Sequence, residues 1–158
     1  MSDFDGTVAV VTGAAKGIGK AVANKLVEHG ARVALLDVDE PAAARDPVAG
    51  AEFIRCDVGR SEDVERAVAA AARINGRIDV LVNSAGIQRY GSVVDTDEAT
   101  WDEVMTVNLK AMYLTARNAV PHMLAADGGA IVNIASVQGL VVQRGVAAYA
   151  ASKGGVIA

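Results

Sequence analysis

Short, nearly continuous apolar runs alternate along this chain with longer stretches in which apolar residues recur every three or four positions. Thr7 to Thr12 (TVAVVT) is apolar and rich in β-branched residues, and predicts a first strand. From Ile18 to His29 the apolar positions Ile18, Ala21, Val22 and Leu26 keep helical spacing, and Gly30 fits the stop. Ala31 to Val38 (ARVALLDV), Ala51 to Val58, Ile78 to Val82 and Ala130 to Ala135 (AIVNIA) predict four further strands. Runs that are apolar on both faces suit a parallel sheet covered by helices on both sides.

The intervening stretches carry helix signals. Ser61 is positioned to cap a helix whose apolar face is Val64, Ala67, Val68, Ala71 and Ala72. Thr100 and Glu103 form a capping box that opens a long helix, with Val104, Met105, Leu109, Met112, Tyr113, Ala116 and Val120 in one stripe. That stripe reads as core or subunit contact. Asn108 stands out within it, because Asn is a poor interior helix residue and can interrupt the backbone ladder to hold water. Pro121 strains the helix near its end, and Gly128 and Gly129 finish it. Residues 39–50, with Pro41, Pro47 and Gly50, read as a loop containing one short helix. A last helix starts near Tyr149. This alternation over residues 1–158, without internal repeats or linkers, predicts a single α/β domain with an open, parallel, doubly wound sheet and right-handed crossovers.

Composition narrows the picture. At 158 residues, 52% hydrophobic and only 4% aromatic, the core must be mostly Ala, Val, Ile and Leu. The net charge of −4, with no basic run, excludes a nucleic-acid or anionic-membrane footprint. No apolar run reaches the ~18 residues of a membrane span, and the polar start MSDFDG completes the expectation of a soluble, cytoplasmic chain. Cys56 is the only cysteine and, in the run AEFIRCDV, is expected to pack as a small hydrophobe. His29 and His122 lack ligand spacing, so no metal site is expected; His29 is read as a cation near a helix C-terminus.

Candidate chemistry clusters where strands end. Gly13, Gly17 and Gly19 lie between the first strand and helix, with Lys16 and Ile18 among them; glycines there allow a tight turn and bring backbone N–H groups close to a pyrophosphate. Plain connectors also use glycines. Asp37 ends the second strand about 18 positions beyond Gly19, near the ~20 at which a dinucleotide fold sets an acid on the adenosine ribose. A carboxylate there repels a 2′-phosphate and favours NAD, whereas Lys16 could attract that phosphate and favours NADP; NAD is the preferred reading. Asp57, before Val58, could reach an adenine or cap its own turn. Asn83, Ser84, Ala85 and Gly86 leave room for a ligand at the end of the fourth strand.

Tyr149 and Lys153 are spaced to share one helix face, with Ser136 upstream at the end of the fifth strand. A tyrosine working as a base must move from pKa ~10 toward neutrality, which takes roughly 4 kcal/mol. A cation about 4 Å away at an effective dielectric of ~20 supplies on the order of 4 kcal/mol, while burial of the phenol opposes it. A second positive charge, such as an oxidised nicotinamide, would help.

Taken in order, Thr12GlyAlaAlaLysGlyIleGly19, Asp37, Asp57 with Val58, Asn83SerAlaGly86, Asn108 in ValAsnLeuLys, Ser136 and Tyr149AlaAlaSerLys153 resemble the short-chain dehydrogenase/reductase family over nearly the whole chain. The resemblance implies a Rossmann-type fold and hydride transfer between a nicotinamide cofactor and an alcohol or carbonyl substrate. It implies Tyr149 as general acid/base and Lys153 as the residue that lowers its pKa and bonds the nicotinamide ribose. Ser136 would bond the reacting oxygen, and Asn108 would hold a water linking Lys153 to solvent. Cofactor contacts are implied for Gly13, Lys16, Gly17, Ile18, Gly19, Asp37, Asp57, Val58, Asn83, Ala85, Gly86, Tyr149 and Lys153.

Two departures from the family pattern carry expectations. Ser84 stands where a second Asn is usual. The chain also stops at Ala158, where family members continue for about a hundred residues, so the domain is expected to be truncated relative to the family. In the sheet order 3-2-1-4-5, AIVNIA then becomes an exposed edge. The isolated chain is therefore expected to be inactive, poorly soluble or dependent on partner chains. A non-catalytic dinucleotide-binding or interaction module is the competing reading. The substrate is left open among sugars, hydroxy acids, oxoacyl compounds and steroids, with Gln88, Arg89, Tyr90, Gln138, Gln143 and Arg144 on loops near the crevice. A homo-oligomer is expected from the helix stripe and from Gly154 and Gly155.

Overall fold

In a computed structural model, described here for residues 3–40, 44 and 46–158, the strands are β1 (Val8–Thr12), β2 (Arg32–Asp37), β3 (Ala51–Arg55), β4 (Val80–Asn83) and β5 (Ala130–Asn133). The helices are α1 (Gly17–Glu28), α2 (Ser61–Ala72), α3 (Glu98–Met105), α4 (Ala111–Ala125) and α5 (Ala147–Ile157). All strand pairs are parallel, in the order β3-β2-β1-β4-β5, the expected Rossmann-type sheet. The short helix expected around Pro41 falls on residues outside this description.

The continuous apolar runs have a simple cause. Alternate residues of each central strand enter two separate cores. Val10, Ala34, Leu36 and Leu81 pack on one face with Val64 and Val68 of α2 and Leu114 of α4. Ala9, Val11, Val33, Leu35 and Val82 pack on the other with Ala23 and Leu26 of α1. Val8, Ala9, Val10 and Val11 are all fully buried, and each such valine stabilises the fold by roughly 1.5–3 kcal/mol relative to exposure. The parallel register aligns Thr12 with Leu36 and with Asn83, so the carboxyl ends of β1, β2 and β4 share one rim.

Several terminal signals act differently from their sequence reading. Ser61 is the first residue of α2 rather than its cap, and no side chain caps that helix; the cap position belongs to Arg60. Asp63 in the first turn accepts the Asp57 N–H at 3.2 Å and pairs with Arg66, and these two partners hold its carboxyl below the usual carboxylate range. The cap of α3 is Asp97, whose Oδ1 accepts the Thr100 N–H at 2.7 Å, so Thr100 receives the cap instead of supplying it. At the end of α4 the first positive-φ residue is Asp127 (φ 63°), followed by Gly128 (φ 128°), and the Gly128 N–H closes the turn on the Met123 carbonyl at 2.8 Å. Asp can occupy that conformation because its short polar side chain bonds locally. Gly129 is needed for another reason: a Cβ there would stand 2.7 Å from Met123 and 2.9 Å from the Asp79 carbonyl.

The long helix expected after Thr100 is interrupted by a π-helical turn, Thr106–Lys110, centred on Asn108. Its expected stripe divides, with Val104 and Met112 buried and Tyr113 59% exposed. Asp79 before β4, which no sequence signal marked, is buried, accepts the Val8 N–H at 2.8 Å and is chelated by Arg77. β5 is exposed at all four positions, as expected of an edge. Among the described residues no helix is long and apolar enough to cross a membrane.

Candidate functional site

A cleft of about 800 Å³ opens over the carboxyl ends of the strands. Of the expected site residues it is lined by Gly13, Lys16, Ile18, Gly19 and Asp37 on one side and by Ala85, Gly86, Tyr149 and Lys153 on the other. The structure therefore brings residues 13 and 153 of the chain to one cavity. Val38, Asp39, Ser84, Ile87, Gln88, Ile134 and Ala135 complete the wall.

The glycine loop is built by backbone approach. A Cβ on Gly19 would lie 2.3 Å from the Gly13 carbonyl oxygen, and one on Gly13 would lie 2.7 Å from the Ala85 Cα. These two glycines let the loop close on itself and on the end of β4, a role not separated from ligand approach in the sequence. Thr12 Oγ1 accepts the N–H groups of Ser84 and Ala85, each at 3.1 Å, locking the same junction. Gly17 opens α1, whose N-cap Lys16 is extended and provides no side-chain cap. Among the described residues the first-turn N–H groups have no side-chain cap, and no acid occupies that turn. Such a helix start, beside a cleft of this size, fits an anionic pyrophosphate.

Asp37 closes one end. Its Oδ2 accepts the Ala15 N–H at 2.9 Å and its Oδ1 accepts the Asp39 N–H at 3.0 Å, so the carboxylate is held in place by two backbone turns. Lys16 Nζ stands 3.7 Å from Asp39 Oδ2.

At the other end Tyr149 and Lys153 rise from α5 on one face, with the ammonium 5.8 Å from the centre of the phenol ring. Lys153 is buried, its Nζ donates to the Ile134 carbonyl at 2.7 Å, and desolvation pushes its pKa below the ordinary lysine value. Ile134 follows β5, so the strand that forms the exposed edge also anchors the lysine.

Asn108 is fully buried in the π-turn and lies behind the cleft wall. Its Oδ1 accepts the Ile87 N–H at 2.8 Å, and its Nδ2 donates to the Ile87 carbonyl at 2.9 Å and to Ser152 Oγ at 3.0 Å. Ser152 Oγ in turn donates to the Tyr149 carbonyl at 2.7 Å. Both amide hydrogens are therefore committed to joining the 84–88 loop to α5. Ser152 had no sequence signal, since a serine beside a helical lysine is usually solvated; Asp39 had one, because alternate residues of an extended segment share a side.

Asp57, Val58, Asn83, Gly17 and Ser136 are not on the cleft wall. Asp57 Oδ1 accepts the Gly59 N–H at 2.9 Å and caps its own turn. Val58 is buried in the core. Asn83 is 3% exposed because its amide ties β4 to its neighbours, with Nδ2 donating to Asn133 at 2.8 Å and Oδ1 accepting from Thr115 at 2.7 Å. Ser136 Oγ accepts the Gln138 N–H at 3.2 Å at the start of a 3₁₀ turn, Val137–Gly139. Cys56 is buried, as expected, and among the described residues no group of three or more His, Cys, Asp or Glu is placed to hold a metal.

Comparison with known proteins agrees with this geometry. The family model described as short chain dehydrogenase matches residues 7–158. The chain is 39% identical to 2-(S)-hydroxypropyl-CoM dehydrogenase 3 of Xanthobacter autotrophicus, over 95% of this chain and 61% of that protein. It is also 39% identical to an NAD-dependent glycerol dehydrogenase of Listeria innocua, over 98% of this chain and 63% of that one. A crystal structure of a short chain dehydrogenase from Mycobacterium smegmatis superposes with a TM-score of 0.93 at 36% identity, covering 99% of this chain and 69% of that chain. The chain thus spans under two thirds of the length of these two curated relatives. Its matched length, strand order and motif positions place it in the short-chain dehydrogenase family.

Proposed function

We propose that the chain carries the cofactor-binding and proton-transfer centre of an oxidoreductase that interconverts an alcohol and a carbonyl compound, with NAD in preference to NADP. The observation that carries this reading is the single cleft whose wall holds the glycine loop and Asp37 at one end and Tyr149 with Lys153 at the other. Gly13, Lys16, Ile18 and Gly19 would hold the pyrophosphate, Asp37 the adenosine ribose, and Lys153 the nicotinamide ribose. When bound, the nicotinamide supplies or accepts the hydride.

The residues then manage the proton. Tyr149 Oη would give a proton to the substrate oxygen in reduction and take it in oxidation. The Lys153 ammonium, over the phenol face and anchored on Ile134, would hold the nicotinamide ribose beside Tyr149. Ser136 would donate to the same substrate oxygen. With its amide committed to Ile87 and Ser152, Asn108 acts as a clamp on this wall, and a water on this segment would be held by backbone groups of the π-turn. Relatives named for glycerol and hydroxypropyl-CoM support an alcohol substrate. The same reading makes residues 1–158 one nucleotide-binding domain of a cytoplasmic enzyme that self-associates, for which the exposed Tyr113 and Trp101 offer contact area.

Tyr149→Phe tests the proposal. It should lower kcat with an alcohol substrate by about a hundred- to ten-thousandfold while cofactor affinity changes less than about threefold, because general acid/base catalysis is worth typically 10²–10⁴-fold. Unchanged turnover would refute the role of Tyr149, and saturable cofactor binding without any turnover in the wild type would favour the non-catalytic module.

A further inference from the structure

The segment that leaves β5 meets Lys153 twice. Ile134 offers its carbonyl to the Lys153 Nζ at 2.7 Å. Further along, Gly139 lies against the backbone of the same lysine: a Cβ there would stand 2.7 Å from both the Lys153 carbonyl carbon and its oxygen. A real Cβ does not come that close to its neighbours, so no side chain fits at this position without a shift. The φ of Gly139 is not positive, so space rather than backbone torsion requires a glycine here.

Ser136 sits between these two attachments. Its Oγ accepts the Gln138 N–H at 3.2 Å and its carbonyl accepts the Gly139 N–H at 3.0 Å, so the serine moves with the 3₁₀ turn that Gly139 ends. The two sides of the contact differ in freedom. α5 is held by the buried Ala148, Ala150, Ser152 and Lys153, whereas Val137 and Leu140 in and beside the turn are 67% and 72% exposed. A methyl added at Gly139 therefore displaces the turn, and Ser136 with it, outward from α5. The neighbouring contact has slack: a Cβ on Gly154 of α5 would lie 3.8 Å from the Gly139 carbonyl oxygen, an ordinary van der Waals separation.

Building on the proton-transfer reading above, we infer that Gly139 is a positioning residue for Ser136: its lack of a side chain seats the 136–139 turn on the Lys153 backbone and so fixes the serine hydroxyl relative to Tyr149 and Lys153. Gly139 itself touches no reacting atom. Its effect falls on rate, because a misplacement of about 1 Å can cost on the order of a hundredfold.

The test compares the 158-residue chain as wild type, Gly139→Ala, Ser136→Ala, the double variant and Gly154→Ala, by NADH binding and by NAD reduction with glycerol, propan-2-ol and cyclohexanol. Gly139→Ala should lower kcat by roughly ten- to a hundredfold and change NADH affinity by less than about threefold. In the Ser136→Ala background the same substitution should cost less than about threefold, because the group it positions is gone; a merely structural glycine would cost as much there as in the wild type. Gly154→Ala should keep kcat within about twofold, as its contact has room for a methyl. Hydrogen exchange should quicken at residues 137–141 of Gly139→Ala and stay at wild-type rates in α5. Unchanged kcat in Gly139→Ala, an additive double variant, an equal loss in Gly154→Ala, or exchange that quickens in α5 instead overturns the inference and leaves the proton-transfer reading standing. So does a Gly139→Ala chain that fails to fold, since the exposed turn is the part expected to yield. A folded wild type that binds NADH but turns over none of these alcohols overturns both.

Discussion

The sheet has two edges, and they are built differently. β3 carries Glu52 and Arg55 exposed and Ile54 buried, a half-covered edge with charges on its open side. β5 has no charge, and all four of its residues are exposed, including Ile131 at 40% and Val132 at 47%. Charged side chains on an edge discourage pairing with other chains, and an apolar uncharged edge invites it. By its residues β5 is an interior strand, yet in this structure it occupies an edge. An apolar run therefore reports a strand, while its place in the sheet and the layer over it decide whether it is buried.

Paired truncations would break this comparison most directly. Ile54→Ala should lower unfolding stability by about 2–4 kcal/mol, since Ile54 packs in the core with Val64, Ala67 and Val68. Ile131→Ala should cost roughly 1 kcal/mol or less, as expected for a side chain only partly covered. Equal losses in urea melts would show that the two edges are alike.

An alkaline titration sharpens the β3 side. Just beyond β3, burial and then the Asp63 carboxylate push the Cys56 thiol up from 9.0 to about 12. Between those values the folded chain keeps a proton that the unfolded chain loses. The thiol's contribution to stability is therefore whole below pH 9.0 and declines as pH rises toward about 12. Cys56→Ala should flatten that part of the profile, and an identical slope in the variant would assign the alkaline loss elsewhere.

The smallest change expected in stability is on the β5 edge. Val132→Lys should alter unfolding free energy by no more than about 0.5 kcal/mol while shifting sedimentation toward smaller species. Unchanged sedimentation would mean that this edge does not drive association.

Much of this architecture was legible in the residues. Each predicted strand lies within two residues of its observed ends apart from β3, which stops at Arg55, three residues before the predicted end at Val58. Asn108 was legible as a break in a helix, because an amide competes with the backbone ladder, and a π-turn is what forms there. Caps were read less well. Thr100 and Ser61 have the right chemistry for caps, but Asp97 and Arg60 hold those positions, because the cap is whichever residue leaves helical backbone as the preceding loop arrives. The site divides in the same way: Gly13, Gly19, Asp37, Tyr149 and Lys153 meet at the cleft, while Asn83 and Asp57 spend their polar atoms on bonds that hold strands and turns.

By itself the sequence determined the order of strands and helices, the two-faced burial of the central strands, and the spacing that puts Tyr149 above Lys153. These depend on periodicity and on local backbone preference, which act over a few residues. Only the tertiary structure decided that Asp39 faces Lys16, that Asn108 clamps Ile87 to Ser152, and that Lys153 is anchored on the carbonyl that follows β5. Each of those contacts joins segments between 19 and 44 residues apart, or crosses from one element to another, and a side chain's partner across such a distance is set by how the layers pack.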